Sequence, residues 1–80
     1  MHYVYIIKSK KYPKELYKGY AKDLKERIRR HNSGSSKYTA QFKPWEIIFY
    51  CAFKDKKQAL GFEKYLKTAS GIAFMRKRLI

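Results

Sequence analysis

Five side chains of this sequence have the types and spacing that phosphodiester hydrolysis needs. They are Tyr5, Tyr17, Arg27, His31 and Glu63. Such a reaction needs a cation to stabilise the charge that develops on the phosphate, a base to take a proton from the attacking water, and a metal ion to neutralise the phosphate. Arg27 could supply the cation, a tyrosine or His31 the base, and Glu63 could hold the metal.

Each of these residues also has a purely structural explanation. Tyr5 and Tyr17 fall in predicted strands, where tyrosine is a common packing residue. Arg27 could be one more solvated cation among 20 lysines and arginines. His31, close to the end of a predicted helix, could simply be a favourable partner for the helix dipole.

Glu63 is the hardest of the five to explain by structure alone. It falls within the apolar stripe of a predicted helix, and a carboxylate seldom occupies such a position without a partner because desolvating its charge is costly. A buried ion pair with a lysine or arginine would explain it. So would Mg²⁺, which keeps several waters and takes one or two carboxylates together with phosphate oxygens. Free tyrosine has a pKa of about 10, so a tyrosine would serve as the base only beside such cations.

The elements that position these residues begin with a predicted hairpin. Residues 3–8 are aromatic and β-branched and predict a strand whose alternate side chains face opposite ways. Its two faces carry Tyr3, Tyr5 and Ile7, and Val4 and Ile6, respectively. Pro13 marks the turn, and residues 15–20 return as the second strand. Residues 45–53 are nearly all apolar and predict a central strand covered on both faces, with Trp45 and Cys51 in the core.

Three helices are predicted around these strands. The first has Asp23 as its N-cap and ends near Gly34, and its inward stripe of Leu24, Ile28 and His31 has Arg27 beside it. Asp55 caps the second helix, and the third begins near Ser70. Between the first helix and the third strand, residues 33–39 predict a polar loop that needs packing or a ligand to become ordered. The order is β-β-α-β-α-α, an α+β fold (an α/β sandwich) with a three-stranded, mainly antiparallel sheet.

Composition limits the class of protein and of partner. Eighty residues predict a single domain spanning 1–80, and one cysteine excludes an internal disulfide. The net charge of +14 favours a polyanion, nucleic acid above all. A membrane surface fits less well, because the cations are dispersed over every predicted element. The apolar start is too short for a signal peptide, and no run has membrane-spanning length, which predicts a cytoplasmic protein.

An ordered set of tyrosines, a glycine, an arginine, a histidine and a glutamate resembles the GIY-YIG nuclease domain over essentially the whole chain. The matching residues are Tyr3-Val4-Tyr5, Tyr17-Lys18-Gly19, Arg27, His31 and Glu63. The chain is most similar to small stand-alone bacterial members and to the nuclease domain of junction-cleaving enzymes. Only the tyrosines and one glycine of the two signature tripeptides are kept. Many members also have a late asparagine near the site, whereas the only asparagine here is Asn32.

The resemblance implies DNA strand cleavage with one Mg²⁺ or Mn²⁺ ion. It implies that Tyr17 is the general base or orients the water, that Tyr5 supports it, and that Arg27 binds the scissile phosphate. His31 would help to activate the water or position a tyrosine, and Glu63 would hold the metal.

The loop before the third strand and the overall function each have alternative interpretations. The loop residues Lys37, Tyr38 and Lys43 could contact the substrate backbone, or they could form a solvated loop. The chain could also be a catalytically weak nucleic-acid-binding module that acts with a protein partner or as an oligomer. A protein that binds an acidic protein or a membrane surface is a more distant alternative.

Overall fold

The computed structural model describes residues 1–80 and contains three strands and four helices. The strands are β1 (His2–Ser9), β2 (Leu16–Ala21) and β3 (Trp45–Phe53). The helices are α1 (Leu24–Ser33), α2 (Lys37–Ala40), α3 (Lys56–Tyr65) and α4 (Ala69–Arg78). The predicted α+β class and the order of the main elements are confirmed, with the four-residue α2 as an additional element. None of the helices is long and apolar enough to cross a membrane.

The central strand of the sheet is β1. It pairs antiparallel with β2 on one side and with β3 on the other. The prediction that residues 45–53 form the central strand is therefore wrong. No strand pairs with the outer edge of β3. Two side chains of β3, Ile47 and Tyr50, are 40% and 57% exposed. An apolar run shows that a strand packs against something, but it does not show that both of its edges are paired.

The alternation of side chains along β1 divides the interior into two layers, as predicted. Val4 and Ile6 face α3 and α4, where a cluster is completed by Ala59, Leu66 and Met75. Tyr5 and Ile7 face the other way, toward α1, in a cluster completed by Ala21 and Trp45. Tyr5 is thus a core residue as well as a candidate for the site.

The boundaries of α1 follow the predicted capping residues. The Asp23 carboxylate accepts a hydrogen bond from the backbone N–H of Glu26, at 3.1 Å. At the other end Gly34 has a φ of 86°, in the left-handed region, and its N–H reaches the carbonyl of Arg30. His31 is the one buried residue of this helix. Its position on the inward side, one turn after Arg27, directs the ring toward the sheet.

The segment between α1 and β3 is ordered by packing. Thr39 of α2 is wholly buried, and its carbonyl accepts a 2.8 Å hydrogen bond from the indole N–H of Trp45. Asn32 holds the start of β3 with both ends of its amide: its oxygen accepts from the Trp45 N–H at 2.5 Å, and its nitrogen donates to the Trp45 carbonyl at 3.1 Å. The predicted loop over residues 33–39 is therefore wrong for its second half. The polar composition of this segment does not indicate α2, because the helix is stabilised by these contacts with Trp45 and not by its own sequence.

Candidate active site

The side chain of Tyr5 passes over Gly19 to reach His31. Strand pairing places Tyr5 directly opposite Gly19, and a Cβ atom at position 19 would lie only 2.5 Å from the Tyr5 hydroxyl. Because glycine leaves this space open, the hydroxyl lies 2.8 Å from Nε2 of His31. The Tyr17 ring meets the same imidazole, with ring centroids 5.1 Å apart. The structure therefore brings Tyr5, Tyr17 and His31 together, as the sequence predicts.

His31 connects two hydroxyl groups. Its Nδ1 lies 2.9 Å from the hydroxyl of Thr39, while its Nε2 faces Tyr5. Burial, followed by the nearby charge of Arg27, lowers the pKa of His31, so the ring is neutral at neutral pH. One nitrogen of a neutral imidazole donates and the other accepts. The ring therefore donates to one of the two hydroxyls and accepts from the other, which links Tyr5 and Thr39 in one hydrogen-bonded chain.

The structure argues against a helix-dipole role for His31 and adds Thr39 to its neighbours. A cationic partner for the helix dipole would be a charged imidazole, which the lowered pKa disfavours. Thr39, the second partner of the ring, was missed. It is one of four hydroxyl residues of the Ser and Thr type within residues 33–39, so nothing in its local sequence distinguishes it.

Protonation of His31 predicts an acid-sensitive step in the stability of the fold. Because its pKa in the folded state is lower than in the unfolded chain, the unfolded state binds the proton more readily. The contribution of neutral His31 is complete above the unfolded value of about 6.5. We expect it to be lost as the pH falls from there to the folded pKa.

Urea denaturation between pH 8 and pH 5 measures this loss, and the His31→Gln variant is the control. The wild-type free energy of unfolding should fall through this range, and that of the variant should stay flatter. The carboxyl of Glu26 does not interfere, because Arg29 and Arg30 lower its pKa to about 2. Equal pH dependence in the two proteins would contradict the assignment.

Arg27 lies beside Tyr5 but is largely exposed. Burial and then the neighbouring Tyr17 raise the pKa of Tyr5 to about 12, although the nearby charge of Arg27 acts in the opposite direction. Tyr5 is therefore a neutral phenol at neutral pH and suits a supporting role better than that of the base. The exposed guanidinium of Arg27 remains accessible to an anionic ligand.

Glu63 approaches this group from α3. Helix α3 packs against β2, and Lys67, the partner of Glu63, follows Leu66, whose carbonyl accepts a hydrogen bond from Lys18 of β2. The Glu63 carboxylate therefore lies near β2. The side chain is 18% exposed and forms a 2.6 Å ion pair with Lys67, one turn along the helix. The ion pair offered as the structural explanation of Glu63 is thus present, but its lysine is 52% exposed and the pair is not buried.

The donor set at this position restricts the kind of metal that it can hold. The protein has no group of three or more His, Cys, Asp or Glu side chains that could hold a metal ion. A zinc site, which normally needs at least three protein ligands, does not fit. A single carboxylate does fit Mg²⁺ or Mn²⁺ bound mainly by water and by the oxygens of a substrate phosphate.

The predicted nucleic-acid-binding residues lie on and after α2. Tyr38 is 50% exposed, and its ring centroid lies 6.2 Å from that of Tyr17, so it borders the site. Lys37 and Lys43 are exposed, and no side-chain hydrogen bond or ion pair joins them to the five candidate residues. Asn32 is fully engaged by the backbone of Trp45, so it does not fill the place of the late asparagine.

A small α+β domain with two tyrosines, an arginine and a histidine around a single helical carboxylate has the composition of a phosphodiester-cleaving site. The model of the GIY-YIG catalytic domain matches residues 1–76 of this chain. The chain belongs to the GIY-YIG nuclease family, whose domains act on nucleic acid.

Bacterial relatives span most of the chain. It is 43% identical over 70 residues to UPF0213 protein SSP2268 of Staphylococcus saprophyticus, a match that covers 86% of this chain and 83% of the relative. It is 39% identical over 67 residues to UPF0213 protein YazA of Bacillus subtilis, covering 82% and 66% of the two chains. A relative from Clostridium perfringens is 38% identical over 68 residues, covering 84% and 71%. These names state no activity, and no solved structure matches.

Proposed function

We propose that this protein is a divalent-metal-dependent endonuclease that hydrolyses the phosphodiester bonds of DNA. The observation that supports the proposal is that two tyrosines pack against a buried histidine, with an exposed arginine and one helical carboxylate nearby. These residues are Tyr5, Tyr17, Arg27, His31 and Glu63. Membership of a nuclease family and the net charge of +14 support the same substrate class.

Each of these residues has a separate role in the proposed reaction. Arg27 binds the scissile phosphate through its exposed guanidinium and stabilises the added negative charge. Tyr17, which is less buried than Tyr5, orients the attacking water or takes its proton. Tyr5 and His31, joined by their 2.8 Å hydrogen bond, hold the Tyr17 ring in place. Glu63 would hold Mg²⁺ or Mn²⁺, which when bound neutralises the phosphate.

A preference for branched or single-stranded DNA belongs to the same proposal. Tyr38 exposes half of its surface beside Tyr17. An exposed ring of this kind can stack on an unpaired base, and such stacking does not depend on the base's identity. A duplex with all its bases paired offers no base to that ring.

One observation favours a second function, that of a catalytically weak nucleic-acid-binding module acting with a partner. The only carboxylate at the site is already paired with Lys67. If Lys67 stays paired with Glu63, the metal does not bind, and the protein binds nucleic acid without cleaving it.

Cleavage assays distinguish the two functions. The purified protein is incubated with supercoiled plasmid, linear duplex, single strands and a labelled branched substrate, in EDTA, Mg²⁺ or Mn²⁺. The proposal predicts products that need the metal and form fastest on the branched or single-stranded DNA. Binding that weakens steeply with salt but yields no product under any condition would establish the binding module instead. A Glu63→Gln protein purified in the same way excludes contaminating nucleases.

A further inference from the structure

A second group of cations runs away from Glu63 along the α3 and α4 side of β2. We propose that the nucleic-acid strand leaving the scissile phosphate follows this surface, which we call the basic strip. Its members are Lys18, Lys67, Arg76, Lys8 and Lys14. The inference rests on the proposed function, since it extends the same site, and it adds the path of the substrate beyond the cleaved bond.

The strip begins at the candidate metal ligand. Lys67 is the ion-pair partner of Glu63, and the Lys18 ammonium donates to the carbonyl of Leu66 at 3.1 Å. Partial burial, then the charges of Lys67 and Arg76, lower the pKa of Lys18. Lys67 and Lys18 are therefore both held at the end of α3, beside Glu63, and the charge of Arg76 acts on Lys18.

The strip continues into a groove at the far end of the sheet. The groove has a volume of about 640 Å³ and is lined by seven residues. Three of them are the cations Lys8, Lys14 and Arg76. Lys8 and Leu16, which line the groove, pair two positions along the strands from Ile6 and Lys18, so the groove adjoins the cations at Glu63. None of the three groove cations has a carboxylate within 4.0 Å, although Glu46 lies opposite Lys8 in the strand register.

Unpaired cations gathered on one surface repel one another, so the fold is destabilised by them unless a polyanion binds there. The other lining residues are aliphatic or proline, and no aromatic ring is among them. Base stacking therefore has no platform in the groove. The chemistry that fits is contact with phosphates along a backbone, which sets the direction of the strand without reading its sequence.

Salt-dependent binding of the double variant Lys14→Ala/Arg76→Ala tests the path. Binding of a fluorescent single strand is measured in EDTA, where metal-dependent cleavage does not interfere. Loss of two phosphate contacts should lower the slope of log K against log salt by about 1.4. It should also weaken binding by about tenfold or more near 0.1 M salt. The matched control is Lys54→Ala/Lys57→Ala, which removes the same charge from exposed positions at the opposite end of the sheet.

The outcomes separate the path from the proposed function. A slope that falls only in the groove variant supports the path, whether or not the wild-type protein cleaves DNA. An unchanged slope, or an equal fall in both variants, overturns the proposed path. Cleavage by the wild-type protein is tested separately and would still support the proposed function. Far-ultraviolet circular dichroism of both variants checks that each is folded. If the Lys14→Ala/Arg76→Ala protein unfolds, Lys14→Gln and Arg76→Gln are measured singly. Each single variant is expected to lower the slope by about 0.7.

Discussion

Replacing Glu63 by glutamine is expected to lower the rate of DNA cleavage by at least about a hundredfold, the scale on which enzymes lose rate when one electrostatic stabiliser of the transition state is removed. The amide keeps the size of the side chain but loses the charge that would hold the metal. Stability should change little. The lost ion pair with Lys67 involves a lysine that is 52% exposed, and such surface pairs contribute about 1 kcal/mol or less.

The rate is measured on whichever DNA substrate the wild-type protein cleaves fastest, with urea denaturation of both proteins alongside. Glu46→Gln is the matched control, because Glu46 is an exposed carboxylate on β3, away from the candidate site. Equal rates in the two variants would remove Glu63 from the reaction. A large loss of stability in Glu63→Gln would assign that residue to the fold.

Replacing Gly19 by alanine is expected to damage both stability and the site. The new methyl group would lie 2.5 Å from the hydroxyl and 2.6 Å from the Cζ atom of Tyr5. The ring is buried, so it cannot move into solvent to relieve the clash. Overpacking of this kind costs about 1–3 kcal/mol. Because any relief moves the Tyr5 hydroxyl away from His31, cleavage should fall as well.

Urea denaturation measures the loss of stability, and tyrosine signals in the near-ultraviolet circular dichroism report the displaced ring. Gly61→Ala is the control, since a Cβ at position 61 meets nothing within 4 Å. There, in the middle of α3, alanine should stabilise the helix by about 0.5–1 kcal/mol. A Gly19→Ala protein as stable and active as the wild type would show that the ring does not need the open space.

The parts of the fold that follow local rules could be predicted from the sequence. Alternation along β1 separates Tyr5 from Ile6 correctly. Asp23 begins α1 through its carboxylate, and Gly34 ends it through its left-handed backbone, as predicted. The parts that depend on distant contacts could not be predicted. Whether β3 is central or at the edge depends on which strands pair. Helix α2 is stabilised by the hydrogen bond from the indole of Trp45 to Thr39.

The candidate site shows the same division. Residue type and spacing predict the set Tyr5, Tyr17, Arg27, His31 and Glu63, and the structure brings Tyr5 and Tyr17 against His31. Thr39 was missed because its importance comes only from a 2.9 Å approach to His31. The pairing of Glu63 with Lys67 has an i, i+4 spacing that the sequence contains, but spacing alone does not show which lysine a carboxylate selects.

The location of Tyr5 on the buried central strand has a consequence for motion. Its neighbours Val4, Ile6 and Ile7 are wholly buried with it, and both edges of the strand are paired. A residue so enclosed is released only when the whole protein opens, so amide hydrogens there should exchange as slowly as global unfolding permits. Movement that accompanies the binding of nucleic acid is therefore expected at the rim, where Arg27 and Tyr38 are exposed, while the phenol of Tyr5 stays fixed.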